Sequence, residues 1–234
     1  MALVVILGVA LPVAILFFWL FQPGQTGVGT PISAALTNSL TLGTSAAVFA
    51  ILIAAPLVSG SVRRPGRLTR FLERTPYLGY SIPPLPFALA LVFVSLQLWP
   101  GLYQTLPILV YALTFRFLAE AVGPLRTAVY RAPKQLEEAA RALGLRFWGV
   151  LRRVTIPLLW RGVVASIALV FLAVVKELPL TLVLAPNGFD TLATNVWTYT
   201  EEAMFASAAP HALGIVGLAG LFVSIVFWGG RRWR

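Results

Sequence analysis

The sequence predicts an all-α membrane protein, a helical bundle of six spans. Three observations carry this prediction. Of the 234 residues, 59% are hydrophobic and only 11% charged, more apolar surface than a water-soluble domain can hide. Six apolar stretches approach the roughly 20 residues needed to cross about 30 Å of hydrocarbon. They cover about 2–21, 38–60, 77–98, 102–122, 158–180 and 211–229, within a single membrane domain, 1–234. Finally, the basic residues are confined to every second connection.

That confinement explains the net charge of +10, which in another setting would suggest nucleic-acid binding. Fifteen of the 18 Lys and Arg lie in the connections 61–76 and 123–157 and in the C-terminal tail. The connections 22–37, 99–101 and 181–210 contain none. Strict alternation satisfies the positive-inside rule and places both termini and the 123–157 connection in the cytoplasm. The partner implied by the charge is the lipid bilayer, not nucleic acid.

Taken in order, the first span has no basic n-region and ends in Phe17, Phe18, Trp19 and Phe21 rather than a small-residue cleavage site, so it reads as a retained span. Pro12, Pro56, Pro83, Pro84, Pro86 and Pro107 lie inside apolar runs, where they predict kinked or broken helices. The Ser81–Pro86 stretch is the strongest case. It is either a non-helical entry to a span starting near Pro86, or a bend around Pro84 that lines a pathway. Arg116 and Glu120, four apart near the cytoplasmic end of the fourth span, read as a structural pair.

The connection 123–157 is long and basic yet patterned for helix. Pro133 suits a first helical turn. Leu136, Ala139, Ala140 and Leu143 then recur at helical spacing, with Lys134, Glu137, Glu138 and Arg141 largely off that stripe. Gly144 suits a helix C-terminus. Phe147, Val150, Leu151 and Val154 against Arg146, Arg152 and Arg153 predict a second short helix, and Pro157 restarts the chain as the fifth span. Two short helices with a Gly joint make a knob beneath the membrane. Such a knob binds either anionic headgroups or a protein groove. The small residues on its apolar stripe permit the close approach that a groove requires, with Glu138 available for an ion pair or a cap.

At the outer end of the fifth span Lys176 and Glu177 are adjacent, so they point about 100° apart and cannot simply pair within the helix. Lys176 either snorkels to the interface or joins Glu177 at a gate or vestibule. In the external connection, Asn187-Gly188 signals a turn, and Thr198-Tyr199-Thr200-Glu201 reads as a capping box opening a short helix that runs to Pro210. Its charges are Asp190, Glu201 and Glu202, an acidic rim that is either solvated or faces a basic patch on a binding partner. His211 stands without clustered Cys, Asp or Glu, so no metal site is predicted, and the absence of Cys removes disulfides and thiolate ligands. No GxxxxGK[ST] segment occurs. Any ATP chemistry must then belong to another subunit.

Glu138-Ala139-Ala140, three residues, Gly144, nine residues, then Val154-Thr155-Ile156-Pro157 resembles the Glu-Ala-Ala coupling loop of type I ABC-importer permeases, the inner-membrane components of binding-protein-dependent transport systems. Asn38-Ser39-Leu40 resembles the opening of that family's membrane domain. Glu177-Leu178-Pro179-Leu180-Thr181-Leu182 and Gly188-Phe189-Asp190-Thr191-Leu192-Ala193 resemble ferric-iron permeases, in particular their C-terminal half; thiamine and phosphonate permeases share part of the pattern.

The resemblance implies a permease subunit of an ATP-driven importer in the bacterial or archaeal cytoplasmic membrane, not an enzyme, with the coupling loop between spans four and five. It implies two ABC ATPase subunits holding ATP and Mg, a second permease subunit identical to this one or not, and an extracytoplasmic substrate-binding protein. No cofactor is implied in the chain itself. Ferric-iron permeases often fuse two halves, so the chain is expected to dimerise, to pair with a separate subunit, or to be part of a longer permease. Alternating access would be driven by the knob, with Glu138, Ala139, Ala140, Gly144, Val154, Ile156 and Pro157 at the ATPase contact. A secondary transporter would need a coupling-ion site at mid-membrane, and an intramembrane enzyme a convergent catalytic cluster at depth. The sequence offers neither.

Overall fold

The computed structural model describes residues 6–22, 31–63 and 66–231, with the backbone alone at Arg70 and 226–231. The predicted start of the first span at 2–5 and the basic residues Arg64, Arg232 and Arg234 lie outside the described residues. Every regular element among the described residues is helical. These are α1 (Ile6–Leu20), α2 (Ile32–Arg63), α3 (Arg67–Ser81), α4 (Pro84–Leu98), α5 (Leu106–Arg131), α6 (Lys134–Ala142), α7 (Phe147–Val175), α8 (Pro179–Leu184), α9 (Leu192–Glu201) and α10 (Phe205–Arg231).

Among the described residues α2, α5, α7 and α10 are long and apolar enough to cross a bilayer, and α3 with α4 make a fifth span if counted as one broken helix. α1, described from Ile6, is a shorter apolar helix. In α2, α5, α7 and α10 five predicted boundaries move outward by three residues or more: 38–60 becomes 32–63, the end at 122 extends to 131, 158 moves back to 147, and 211 to 205. Pro56, Pro76, Pro124, Pro157 and Pro210 all lie within helices.

Where the chain does break, the cause is local. Ile82 precedes Pro83 and adopts an extended ψ of 129°, because the proline ring disfavours helical backbone in the residue before it. Pro84 then opens α4, where the missing N–H is no loss. The predicted span 77–98 is therefore two helices. The predicted span 158–180 likewise ends at Val175. Glu177 folds back so that its Oε2 accepts the Leu180 N–H at 3.1 Å, starting α8 instead.

The chain forms two compact units. One takes the described residues up to Gly43 together with 84–110 and 174–222. Its core includes Leu42, Leu109, Leu180, Leu184, Leu192 and Ala209, with α4 packed on α8. Here Asn38 Nδ2 donates to the Asp190 carbonyl at 2.9 Å and Ser39 Oγ accepts the Leu192 N–H at 2.9 Å, so the start of α2 holds the entry to α9. The capping box of α9 is Thr191 with Thr194, not the predicted Thr198–Glu201. The helix has already run from Leu192 and ends at Glu201, where Ala203 turns with φ of 57° before α10 begins at Phe205.

The second unit takes 44–83, 111–173 and residues from 223 onward. Its core is built on small residues of α2, namely Ala46, Ala47, Ala50 and Ala54, with Leu113, Leu125, Val170 and Phe171. Small side chains let helices approach closely where no water drives them together. The closest such point is Gly162 of α7: a Cβ there would stand 2.4 Å from Ala128 Cβ and 3.0 Å from the Pro124 carbonyl oxygen of α5. One turn on, Ser166 Oγ donates to the Ala121 carbonyl at 2.8 Å. Gly162→Ala is expected to force α7 off α5 at a cost of about 1–3 kcal/mol. The measurement is the thermal unfolding midpoint of the detergent-purified chain, with partial recovery in the Gly162→Ala, Ala128→Gly double variant.

Candidate functional site

The coupling loop predicted at 123–157 shrinks to a knob between α5 and α7, because α5 continues to Arg131 and α7 already starts at Phe147. Pro133 precedes α6, and the helix closes at Gly144, whose φ of 84° lies in the left-handed region that favours glycine. Gly144 N–H donates to the Arg141 carbonyl at 2.9 Å and Leu145 N–H to the Ala140 carbonyl at 3.1 Å, the paired bonds of a Schellman cap. The predicted second short helix is not separate. It runs through a π-helical turn at Leu151–Thr155 into the rest of α7, with Pro157 inside the continuous helix. A π turn is a common way for a helix to absorb a register change next to a functional segment.

The inner face of α6 differs from the predicted stripe. Buried are Glu137 and Ala140, whereas Leu136 is half exposed, Ala139 exposed and Leu143 86% exposed. The reason is electrostatic. Arg63 at the end of α2 donates through Nη1 to Glu137 Oε2 in an ion pair, and Thr155 Oγ1 donates to Glu137 Oε1 at 2.7 Å. Lys134 Nζ also donates to the Arg63 carbonyl at 3.1 Å. One carboxylate thus joins α6 to the end of α2 and to the π turn of α7. Rotating it inward turns Glu138 and the apolar stripe out.

The outward face therefore carries Glu138, Ala139, Leu143 and, across the Gly144 joint, Phe147 and Trp148, which are 65% and 70% exposed and meet edge to face at 5.6 Å. Val154 is half buried, and Ile156 and Pro157 are exposed. Sequence reasoning missed Glu137 and Trp148. A signal for Glu137 was present: it stands three residues before Ala140, so the two share a face.

The remaining predicted residues are dispersed. Lys176 is exposed just after α7 ends, while Glu177 is buried and engaged with α8. Pro84 is the half-buried first residue of α4. Asp190 accepts Asn38 through its backbone, and Glu201 and Glu202 are exposed at the end of α9. Among the described residues no group of three or more His, Cys, Asp or Glu could hold a metal. Arg116 and Glu120 do not form the predicted pair. Arg116 Nη1 donates instead to the Ile82 carbonyl at 2.7 Å, and the described ion pairs are Arg63–Glu137 and Arg126–Glu73.

The family whose sequence model matches residues 47–229 is the binding-protein-dependent transport system inner membrane component. The chain belongs to that family. This permease is 34% identical over 224 residues to the Fe(3+)-transport system permease protein FbpB 2 of Haemophilus influenzae, an alignment covering 94% of the chain and 44% of that relative. It thus spans less than half the relative's length. A putative 2-aminoethylphosphonate transport system permease protein, PhnV of Salmonella paratyphi A, is 28% identical over 190 residues, covering 81% of this chain and 71% of that one. In fold the permease matches a bacterial alginate ABC transporter solved in complex with an alginate pentasaccharide-bound periplasmic protein. The TM-score is 0.69 at 17% identity, over 99% of this chain and 91% of that chain.

Proposed function

We propose that this permease forms the translocation pathway of an ATP-driven importer whose cargo is ferric iron. Two ABC ATPase subunits grip the coupling knobs from the cytoplasm and carry the ATP and Mg; this chain performs no hydrolysis. A second permease subunit completes the pathway, and an extracytoplasmic binding protein, met by the rim at Asp190, Glu201 and Glu202, delivers the cargo. Both termini lie in the cytoplasm. Lys176, Glu177 and Pro84 stand at breaks between helices, where a gate can bend.

The observation that carries this reading is the division of α6 into two faces. Its inner face is locked to α2 and α7 through Glu137, while Glu138, Ala139, Leu143, Phe147 and Trp148 are presented outward. A lever needs one end fixed to what it moves and the other free for what moves it. Ala140, Gly144, Val154, Ile156 and Pro157 keep the joint compact. Ferric iron rests on the 34% identical relative, and the phosphonate relative supplies the second reading.

The test is uptake by proteoliposomes holding the complete transporter and its binding protein. Ferric iron is expected to enter with ATP and not with an imposed proton or sodium gradient, and Glu138→Lys is expected to reduce that uptake by at least about tenfold while leaving membrane insertion unchanged. Uptake of 2-aminoethylphosphonate in place of ferric iron would transfer the cargo assignment. Gradient-driven uptake without ATP would overturn the mechanism.

A further inference from the structure

The predicted span 102–122 put Arg116 near a cytoplasmic end, but α5 runs from Leu106 to Arg131. Arg116 therefore lies ten residues in, about 15 Å along the axis, near the middle of a hydrocarbon layer about 30 Å thick that begins at Leu106. It is half-buried in this chain, with part of the guanidinium still reachable. A guanidinium at that depth facing acyl chains is strongly disfavoured, so an ionisable residue there marks a water-filled path or a polar partner.

Its surroundings belong to one unit and are built for a planar cation. The chain break between α3 and α4 leaves the Ile82 carbonyl without a helical donor, since the residue four further on is Pro86, which has no N–H. Arg116 supplies that donor at 2.7 Å. The guanidinium carbon stands 5.9 Å from the Tyr80 ring centre and 5.8 Å from that of Phe117. Gly79 allows this, because a Cβ there would stand 2.7 Å from the Phe115 carbonyl oxygen and hold α3 away from α5. Glu120, one turn on, does not take the charge. Among the described residues the other guanidinium N–H groups meet no acceptor. A cation pinned by one bond, flanked by rings and left with a fork of free donors is suited to bidentate recognition of an oxyanion.

We infer that Arg116 is an oxyanion-binding station on the translocation pathway, receiving carboxylate, carbonate, phosphate or phosphonate oxygens either as a free solute or in the ligand shell of a ferric ion. This rests on the reading of the chain as an importer permease. It gives anion-coordinated iron a contact at mid-membrane that needs no cluster of metal ligands, and none of three or more His, Cys, Asp or Glu stands among the described residues.

The absence of Cys from the sequence makes the test direct. Ala119→Cys puts a thiol one turn from Arg116, on the same side of α5. The full chain in vesicles containing the whole transporter is labelled with an anionic or a cationic water-soluble methanethiosulfonate, scored on the permease itself. The anionic reagent is expected to react roughly fivefold faster than the cationic one, a preference of the size a single nearby charge gives in water. Arg116→Lys should keep the preference and Arg116→Gln should abolish it. High salt should also abolish it with Arg116 in place, which decides the matter if Arg116→Gln does not accumulate.

Millimolar citrate or inorganic phosphate should slow the anionic reagent if free oxyanions bind, and ferric citrate alone should do so if the metal complex is needed. Failure of all three to protect overturns the station. So does absence of labelling by either reagent, which would place this face against lipid or a second subunit, and so does a preference indifferent to Arg116→Gln. Labelling requires no transport, so a failure of ferric-iron uptake leaves its outcome intact and strikes only the cargo assignment.

Discussion

Glu137→Ala is expected to loosen the α6 knob from α2 and α7, whereas Glu138→Ala leaves it in place. The difference follows from burial and partners. Glu137 keeps only 10% side-chain exposure and receives both Arg63 and Thr155, while Glu138 is exposed. Removing one member of a nearly buried ion pair strands the other. The Arg63 side chain is only 18% exposed, and its Nη2 is already buried without an acceptor. Breaking such a pair costs about 3 kcal/mol, toward the low end for buried pairs because Arg63 retains some water. For a chain of this size that corresponds to a fall of roughly 6–12 °C in the unfolding midpoint. Protease cleavage between Arg131 and Arg152 should rise with it.

Replacing both partners tests the assignment more sharply. Apolar groups of similar volume in place of a buried pair are often neutral or stabilising, so Arg63→Met with Glu137→Leu should recover most of the midpoint lost in Glu137→Ala. Transport need not return with it, since Thr155 then lacks its acceptor and the π turn is no longer tied to α6. Equal destabilisation by Glu138→Ala and Glu137→Ala would remove the two-face description of α6.

How much of this was legible in the sequence depends on which force decides each element. The spans and their apolar stretches follow from hydropathy, and the Gly144 cap from the conformational freedom of one residue type. Helix ends were less legible. Pro157 reads as the start of a span in one dimension, yet α7 continues through it with one turn of π-helix before it, as α5 continues through Pro124. Pro83 does break its helix, because Pro84 and Pro86 follow and three missing N–H groups cannot be bridged.

The site residues show the same limit. Spacing identified the helix carrying Glu138 and the stripe it offers to a partner, but not the inward turn of Glu137 and Ala140, since the rotation of α6 is fixed by Arg63, 74 residues away in the chain. Arg116 was assigned to Glu120 by proximity in sequence, and the acceptor it uses, the Ile82 carbonyl, exists only because α3 ends there. Long-range polar partners are set by tertiary packing, and a periodicity argument has no access to them.

Trp148→Glu, alone and with Leu143→Asp, is expected to abolish ATPase association without disturbing the permease. Leu143 and Trp148 are 86% and 70% exposed, and neither supports the inner face of the knob. Large apolar side chains set around a charged residue are the composition of a docking surface, where truncating a central aromatic costs about 2–4 kcal/mol. That is a loss of roughly 30- to 1,000-fold in affinity. Co-purification of the ATPase with the detergent-solubilised permease reads the effect directly, and an unchanged unfolding midpoint shows that the knob is intact. The competing role for this face is immersion in the headgroup layer, where Trp is favoured. The chain has seven Trp, so the readout is the emission lost in Trp148→Phe: in liposomes lacking the ATPase, that difference spectrum lies at the wavelength of a water-exposed indole if the face awaits a protein, and to the blue if it lies in lipid. Retention of ATPase binding in the double variant would place the contact elsewhere on the chain and leave the knob without a partner.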